Sequence, residues 1–433
     1  MQAFRQPRLL LPQPAIELRR WAVIACDQYT SQPEYWQQVE AIVGDAPSTL
    51  RLIFPEAHLG QPDAPARIAR IQQTMRRYLD DGRLREHHGA VYVERQIGSR
   101  VRRGLMLELD LEHYDFSAGS TSLIRPTEGT IVERLAPRIE VRRDAALELP
   151  HILVLIDDPA GTVLEPIGAE RARLTPLYDG ELMLGGGRVA GFAVDAARAE
   201  RAAHALAALA DPRAFAARYD VAAGTPPMLF AVGDGNHSLA TAKAIWQQHK
   251  AQLGPDHPSR WALVEVENIH DAALDFAPIH RLLIGVSGDL RQALAEAFGT
   301  RLHWTEMPSA QAMRERVAAV PAPQQAVGWI GPGARFAVAE LSEPPAALAV
   351  GSWQPVLDRF VAQGGAADID YVHGDEALQQ LAQRDGHVGL HFPLVAKSEL
   401  LKRVVHGGPL PRKTFSMGEA DEKRFYVEAR RIR

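Results

Sequence analysis

The clearest helical pattern in the chain spans residues 64–79, where Ile68, Ile71, Met75 and Leu79 recur on one stripe, Asp63 stands in the capping position and Gly82 follows the end. Apolar alternation and short apolar runs predict strands near residues 21–25, 90–95 and 105–111, with helices between them. The apolar run 151–156, the turn residues Asp157-Asp158-Pro159-Ala160-Gly161 and the run 162–167 predict a hairpin, and Gly185-Gly186-Gly187 predicts the turn of another. Alanine-rich helices fill 195–217, and Ala223-Gly224-Thr225-Pro226-Pro227 stops that pattern. Beyond residue 285, helical stretches at 289–297, 310–318, 376–382 and 396–405 interleave with strand candidates at 326–330, 335–341 and 388–392. Interleaving of this kind predicts an α/β chain with mixed α+β sheets: an N-terminal region 1–286 and a smaller C-terminal α/β region 287–433, with the boundary near Ser287.

Charge and composition narrow the function. The 433 residues carry 48 basic and 53 acidic side chains, a net −5, which lacks the basic footprint of a duplex-binding protein, so no nucleic acid partner is expected. Cys26 is the sole cysteine, which rules out an intrachain disulfide or a multi-thiolate zinc site and suits a reducing, cytoplasmic setting. The start of the chain has only Leu9-Leu10-Leu11 before Pro12, so neither a signal peptide nor a membrane span is expected. Only six of the basic residues are lysines, so Lys243, Lys397 and Lys413 stand out more than any arginine does.

The window 228–243 carries the most chemistry. Met228-Leu229-Phe230-Ala231-Val232 reads as a strand, Gly233-Asp234-Gly235-Asn236 as a tight polar turn, and a helix follows with Leu239, Ala242 and Trp246 on one stripe. Free backbone N–H groups and the positive end of the helix dipole gather at such a start, and glycine lets an anion approach the backbone. The turn is therefore a candidate phosphate cradle, in which Asp234 holds a metal ion or orients a hydroxyl and His237 contacts phosphate or shuttles a proton. The plain alternative is that Asp234 or Asn236 only caps the helix. No Walker loop or dinucleotide fingerprint occurs.

Elsewhere, Pro126 and Gly129 place Glu128 on an irregular loop, where a carboxylate can act as general base, bind Mg²⁺ or simply face solvent. His280-Arg281 closes what reads as a strand, either as a ligand-binding pair or as surface residues. Asp157-Asp158 are first of all turn formers, and Cys26 a small buried hydrophobe, with Asp27, Tyr29 and Ser31 better placed to line a pocket.

The string Asp234-Gly235-Asn236-His237-Ser238-Leu239-Ala240-Thr241-Ala242 resembles the Asp-Gly-His-His-Arg-Tyr-Glu-Thr-Ala signature of the bacterial and archaeal domain-of-unknown-function family number 1015. Four further segments resemble that family's motifs in the same order: Arg125-Pro126-Thr127-Glu128-Gly129-Thr130, Leu155-Ile156-Asp157-Asp158-Pro159, Pro278-Ile279-His280-Arg281 and Pro411-Arg412-Lys413-Thr414-Phe415. The Asp-Gly-x-His element is more remotely similar to the nucleotide-binding turn of the ParB and sulfiredoxin superfamily, which includes a free-serine kinase branch. The resemblance implies a site at Asp234–His237 that binds a nucleotide, ATP or ADP, with Mg²⁺. It implies phosphoryl transfer to a small hydroxylated metabolite, with Glu128, Asp234 and His237 as catalytic residues. Arg125, Gly235, Asn236, Ser238, Lys243, His280 and Arg281 are then binding residues, and Asp234 the metal ligand. Ser238 replaces the signature's Arg, so Arg125, Arg138, Arg281 or Lys243 would have to supply the charge on phosphate. A non-catalytic sensor of a nucleotide or small acid and a metal-assisted hydrolase stay open as alternatives, and a homo-oligomer is possible.

Overall fold

The computed structural model describes residues 3–117, 119–132 and 135–433. The protein is a mixed α/β chain that packs as two compact units, one of Met1–Leu274, Leu401–Pro409 and Gly418–Arg433, the other of Asp275–Leu400 and Leu410–Met417. Among the described residues, no helix is long and apolar enough to cross a membrane.

In the first unit a mixed sheet runs in the order Ile124–Pro126, Phe230–Asp234, Leu153–Ile156, Trp261–Asn268, Arg100–Asp110, Val91–Ile97, Arg188–Ala193 and Thr175–Glu181. Period-two alternation divides its side chains between two cores. Leu105, Leu107, Val264 and Val266 face one side with Leu239, Ala242 and Trp246 of helix Asn236–Leu253, while Met106 and Leu263 face the other with Trp36, Val39, Ile71 and Met75. The helix Ala64–Asp80 is where its stripe predicts, although Asp63 spends its carboxylate on Arg67, 2.7 Å away, and not on a capping bond.

Two expected elements differ. Residues 21–25 form no strand: Trp21 ends the short helix Leu18–Trp21, and Ile24 makes only an isolated bridge to Phe425. The run is apolar because it is buried, and burial without alternation does not distinguish a strand from irregular chain. The turn at 157–161 does not close a hairpin either. Asp158 accepts the Thr162 N–H at 2.6 Å and the Val163 N–H at 2.8 Å, which steers the chain into helix Glu165–Ala169 with Pro166 in its first turn. Leu153–Ile156 pairs instead with Phe230–Asp234, antiparallel, and with Trp261–Asn268, parallel. The Gly185–Gly187 hairpin is present, with Thr175–Glu181 antiparallel to Arg188–Ala193.

The second unit begins at Asp275, ahead of the expected Ser287, because Phe276–Ile284 is a strand of its sheet. That sheet runs Leu302–Met307, Arg335–Leu341, Gln325–Gly331, Val388–His391, Phe276–Ile284 and Asp368–His373. The chain end, expected in the second region, returns to the first unit, where buried ion pairs hold it. Arg424 donates to Glu265 at 2.6 Å and to Glu428 at 2.7 Å, and Arg430 binds Glu148 through two nitrogens at 2.8 and 3.0 Å. The Trp21 indole N–H donates to the Val427 carbonyl at 2.9 Å.

Burial alone would raise the Glu148 pKa, but Arg430, Arg142 and the Leu263 N–H overcome it and hold the carboxyl at about 2, against an ordinary 4.5. A carboxyl depressed in the folded state stabilises above its unfolded pKa, and that contribution is lost as pH falls. Denaturant titrations are therefore expected to show stability falling between about pH 4.5 and about pH 2, with a smaller fall over that window in Glu148→Gln.

Candidate active site

The strand Phe230–Asp234 ends at Gly235, which takes φ +75° and caps helix Asn236–Leu253. A Cβ there would lie 3.0 Å from both Cα and Cγ1 of Ile152, so the position requires glycine for its backbone and for its neighbour. Gly235→Ala is expected to cost roughly 1–2 kcal/mol from the left-handed backbone alone, read by chemical denaturation.

Parallel pairing brings the second motif to this turn. Ile124–Pro126 runs parallel to Phe230–Val232, so both strands finish on one side, the side on which open α/β sheets bind ligands. Thr127 fastens the loop there, its hydroxyl 2.7 Å and its N–H 3.2 Å from the Val232 carbonyl. Glu128 follows directly and is half-buried. The Ile131 N–H approaches His237 Nε2 at 3.4 Å, a long contact that ties the loop to the helix start.

Asp234 turns back over the helix start, with Oδ1 accepting the Gly235 N–H at 3.0 Å and Oδ2 3.3 Å from Lys423 Nζ. Asn236 Oδ1 is buried and accepts no hydrogen bond among the described residues. Ser238 Oγ lies 2.9 Å from His151 Nε2, and His151 Nδ1 lies 2.8 Å from the Tyr426 hydroxyl, which itself accepts the Cys26 N–H. The Tyr426 hydroxyl, with one proton and two lone pairs, can donate to Nδ1 or accept from it while holding the Cys26 N–H, so both tautomers of His151 fit these contacts. Asp27 Oδ2 stands 4.0 Å from His151 Nε2. Burial would raise the Asp27 pKa, but His151, a hydrogen bond from Gln28 and Lys423 together hold it below its ordinary value.

Beneath Ser238 is a cavity of about 140 Å³, lined by Cys26, Glu56, Arg138, His151 and Tyr426 against apolar walls such as Phe54 and Met75. Burial, with Asp27 and Glu56 nearby, pushes the Cys26 thiol well above its usual range, so it is no thiolate nucleophile. Arg138 donates to Glu56 at 2.6 Å on the cavity wall.

The remaining expected binding residues are employed elsewhere. Arg125 donates to the carbonyls of Ser122, Thr121 and Pro226 at 2.8, 3.2 and 2.7 Å, which makes it a staple between two loops. Lys243 donates to the Leu111 carbonyl at 2.7 Å. His280 and Arg281 belong to the second unit, where Arg281 is fully buried and donates to Gln354 and the Lys413 carbonyl, both at 2.8 Å. Sequence reasoning passed over His151, Tyr426 and Lys423. Lys423 offered the only signal, since lysine is rare in this chain.

The first unit thus brings together a left-handed glycine, a helix start, an aspartate–lysine pair and the ends of two parallel strands. The chain belongs to the family described as Protein of unknown function (DUF1015), whose model matches residues 10–360. No curated protein matches it significantly. Among solved structures it is similar to a free serine kinase, in a glutamate-to-glutamine variant with AMP, at 12% identity and TM-score 0.39 over 74% of this chain and 91% of that one. A conserved hypothetical protein from Pyrococcus furiosus matches at 13% identity and TM-score 0.35, over 74% and 90% of the two chains. SbnI with C-terminal truncation from Staphylococcus aureus matches at 12% identity and TM-score 0.33, over 71% and 84%.

Proposed function

We propose that the first unit binds a nucleotide, ATP or ADP, at the start of helix Asn236–Leu253 and transfers a phosphoryl group to a small hydroxylated metabolite, with a free amino acid such as serine as the acceptor. The observation that carries the reading is the joint placement of the left-handed Gly235, the half-buried helix start and Lys423, 3.3 Å from Asp234. The helix N–H groups of residues 236–238 cradle phosphate oxygens, and Lys423 supplies the cation that Ser238 cannot. Asn236, with its unpartnered buried oxygen, meets a hydrogen-bond donor of the ligand.

Mg²⁺ takes oxygen ligands and is commonly held by one or two carboxylates together with substrate phosphates, a requirement that Asp234, seconded by Asp27, fits. When bound, the ion would neutralise charge on the transferring phosphoryl group. In the transfer, the acceptor oxygen forms the new P–O bond, the bond to the nucleotide's bridging oxygen breaks, and the acceptor's O–H proton passes to the Glu128 carboxylate. His237, beside the Ile131 N–H at the helix start, is the proposed phosphate contact.

Two measurements test the reading. A thermal-shift series with ADP and ATP, with and without Mg²⁺, is expected to raise the melting temperature, because a ligand that binds only the native state stabilises it. A coupled assay with serine and other hydroxylated amino acids is expected to show nucleotide consumption only when an acceptor is present. A thermal shift with no turnover on any acceptor would leave a sensor.

A further inference from the structure

The Pro278-Ile279-His280-Arg281 segment belongs to the second unit, where it builds a polar cluster at the wall of a cavity. His280 is 1% exposed, and its Nδ1 accepts the Phe392 N–H at 3.1 Å. A neutral imidazole has one donor and one acceptor nitrogen, so the proton sits on Nε2, which donates to Asp375 Oδ1 at 3.0 Å. The same carboxylate oxygen lies 3.0 Å from His391 Nδ1. Asp375 opens helix Asp375–Ala382, and the hydrogen bonds from both histidines hold its carboxyl far below the usual range. An ionised carboxylate only accepts, so His391 Nδ1 is the donor and the lone pair of the neutral ring is on Nε2. His391 is 8% exposed, and its Nε2 has no hydrogen-bond partner among the described residues.

The cavity that His391 lines has a volume of about 550 Å³. Arg314 stands on its rim with Nε 3.7 Å from Asp375 Oδ2, beyond a direct hydrogen bond, and Val317, Val320 and Leu394 supply apolar wall. Two histidines and an aspartate also suggest a transition metal. A metal would need the lone pair of His280 Nε2, and the Phe392 N–H, by occupying the other nitrogen's lone pair, keeps the proton on Nε2.

We propose that this cavity is a second ligand site, specific for a small hydroxylated anion whose charge pairs with Arg314 and whose O–H donates to His391 Nε2, the imidazole being oriented by Asp375. The Asp375–His391 pair fixes which nitrogen accepts, so the site selects ligands that offer a hydroxyl beside the anionic group. Monohydrogen and dihydrogen phosphate are small molecules with both features. The site is independent of the reaction proposed for the first unit.

The test is isothermal titration of the full chain with inorganic phosphate near pH 6.5, on wild type, Arg314→Gln and His391→Phe, followed by titration of wild type with Zn²⁺. Each variant is expected to bind one equivalent of phosphate fewer than wild type while keeping the nucleotide-dependent thermal shift of wild type. Arg314→Gln alters a partly exposed side chain, so it stays informative if His391→Phe fails to fold. Phosphate stoichiometry unchanged in Arg314→Gln would overturn the proposal. So would a stoichiometric Zn²⁺ site in wild type that Asp375→Asn abolishes, because it would mean that the lone pairs are turned the other way.

Discussion

Arg424→Leu is expected to destabilise the protein by about 3–5 kcal/mol, because it leaves two buried carboxylates without their cation. Glu265 and Glu428 are 3% and 0% exposed, at 2.6 and 2.7 Å from the guanidinium. Burial disfavours the Arg424 charge, and those carboxylates more than repay it, which raises its pKa above the ordinary arginine value. Replacing the acids as well, in Arg424→Leu with Glu265→Gln and Glu428→Gln, is expected to recover part of the loss, since the cost lies in unpaired charge and not in the absence of the pair. Urea denaturation of the single and triple variants measures both. Equal stability of Arg424→Leu and wild type would mean that the chain end is not held by this network. Because Lys423 precedes Arg424 directly, the network also fixes the cation at the candidate active site.

Glu128→Gln is expected to lower turnover by about 10²–10⁴, the usual contribution of a positioned general base, while the nucleotide-induced thermal shift persists. The amide keeps the size and hydrogen-bonding capacity of the carboxylate and loses only its ability to take the acceptor's proton. Asp234→Asn is expected to diminish both readouts, since Asp234 sets the Gly235 turn and faces Lys423. If Glu128→Gln turns over at the wild-type rate, the base lies elsewhere, and Asp27 and Asp234 are the next carboxylates to replace.

Local patterning made the turn legible. The apolar strand, the turn and the helical stripe each have a local cause and all three are present, although the strand is Phe230–Asp234 and not 228–232, and the helix already starts at Asn236, which shortens the expected four-residue turn to Gly235. The fate of Arg125 and Lys243 was not legible, because a cation that satisfies a backbone carbonyl and one that binds a ligand look alike in sequence. His151, Tyr426 and Lys423 reach the turn only through contacts spanning up to 275 residues, such as His151 to Tyr426. No periodicity encodes those contacts, since they follow from the return of the chain end to the first sheet. Residues 21–25 and 162–167 were misread for the opposite reason: their apolar character is real, but it reports burial, and the Asp158 side chain decided the local backbone.

On the proposed reading, a nucleotide phosphate sits between the helix start and Lys423. Isothermal titration of ADP into wild type and Lys423→Gln tests it most directly, with circular dichroism to check that the variant is folded. Loss of a charge-assisted contact contributing about 1.5–3 kcal/mol is expected to weaken ADP binding by roughly 10- to 150-fold, with adenosine binding unchanged. An ADP affinity that is the same in both proteins, or no ADP binding by wild type, would contradict the account.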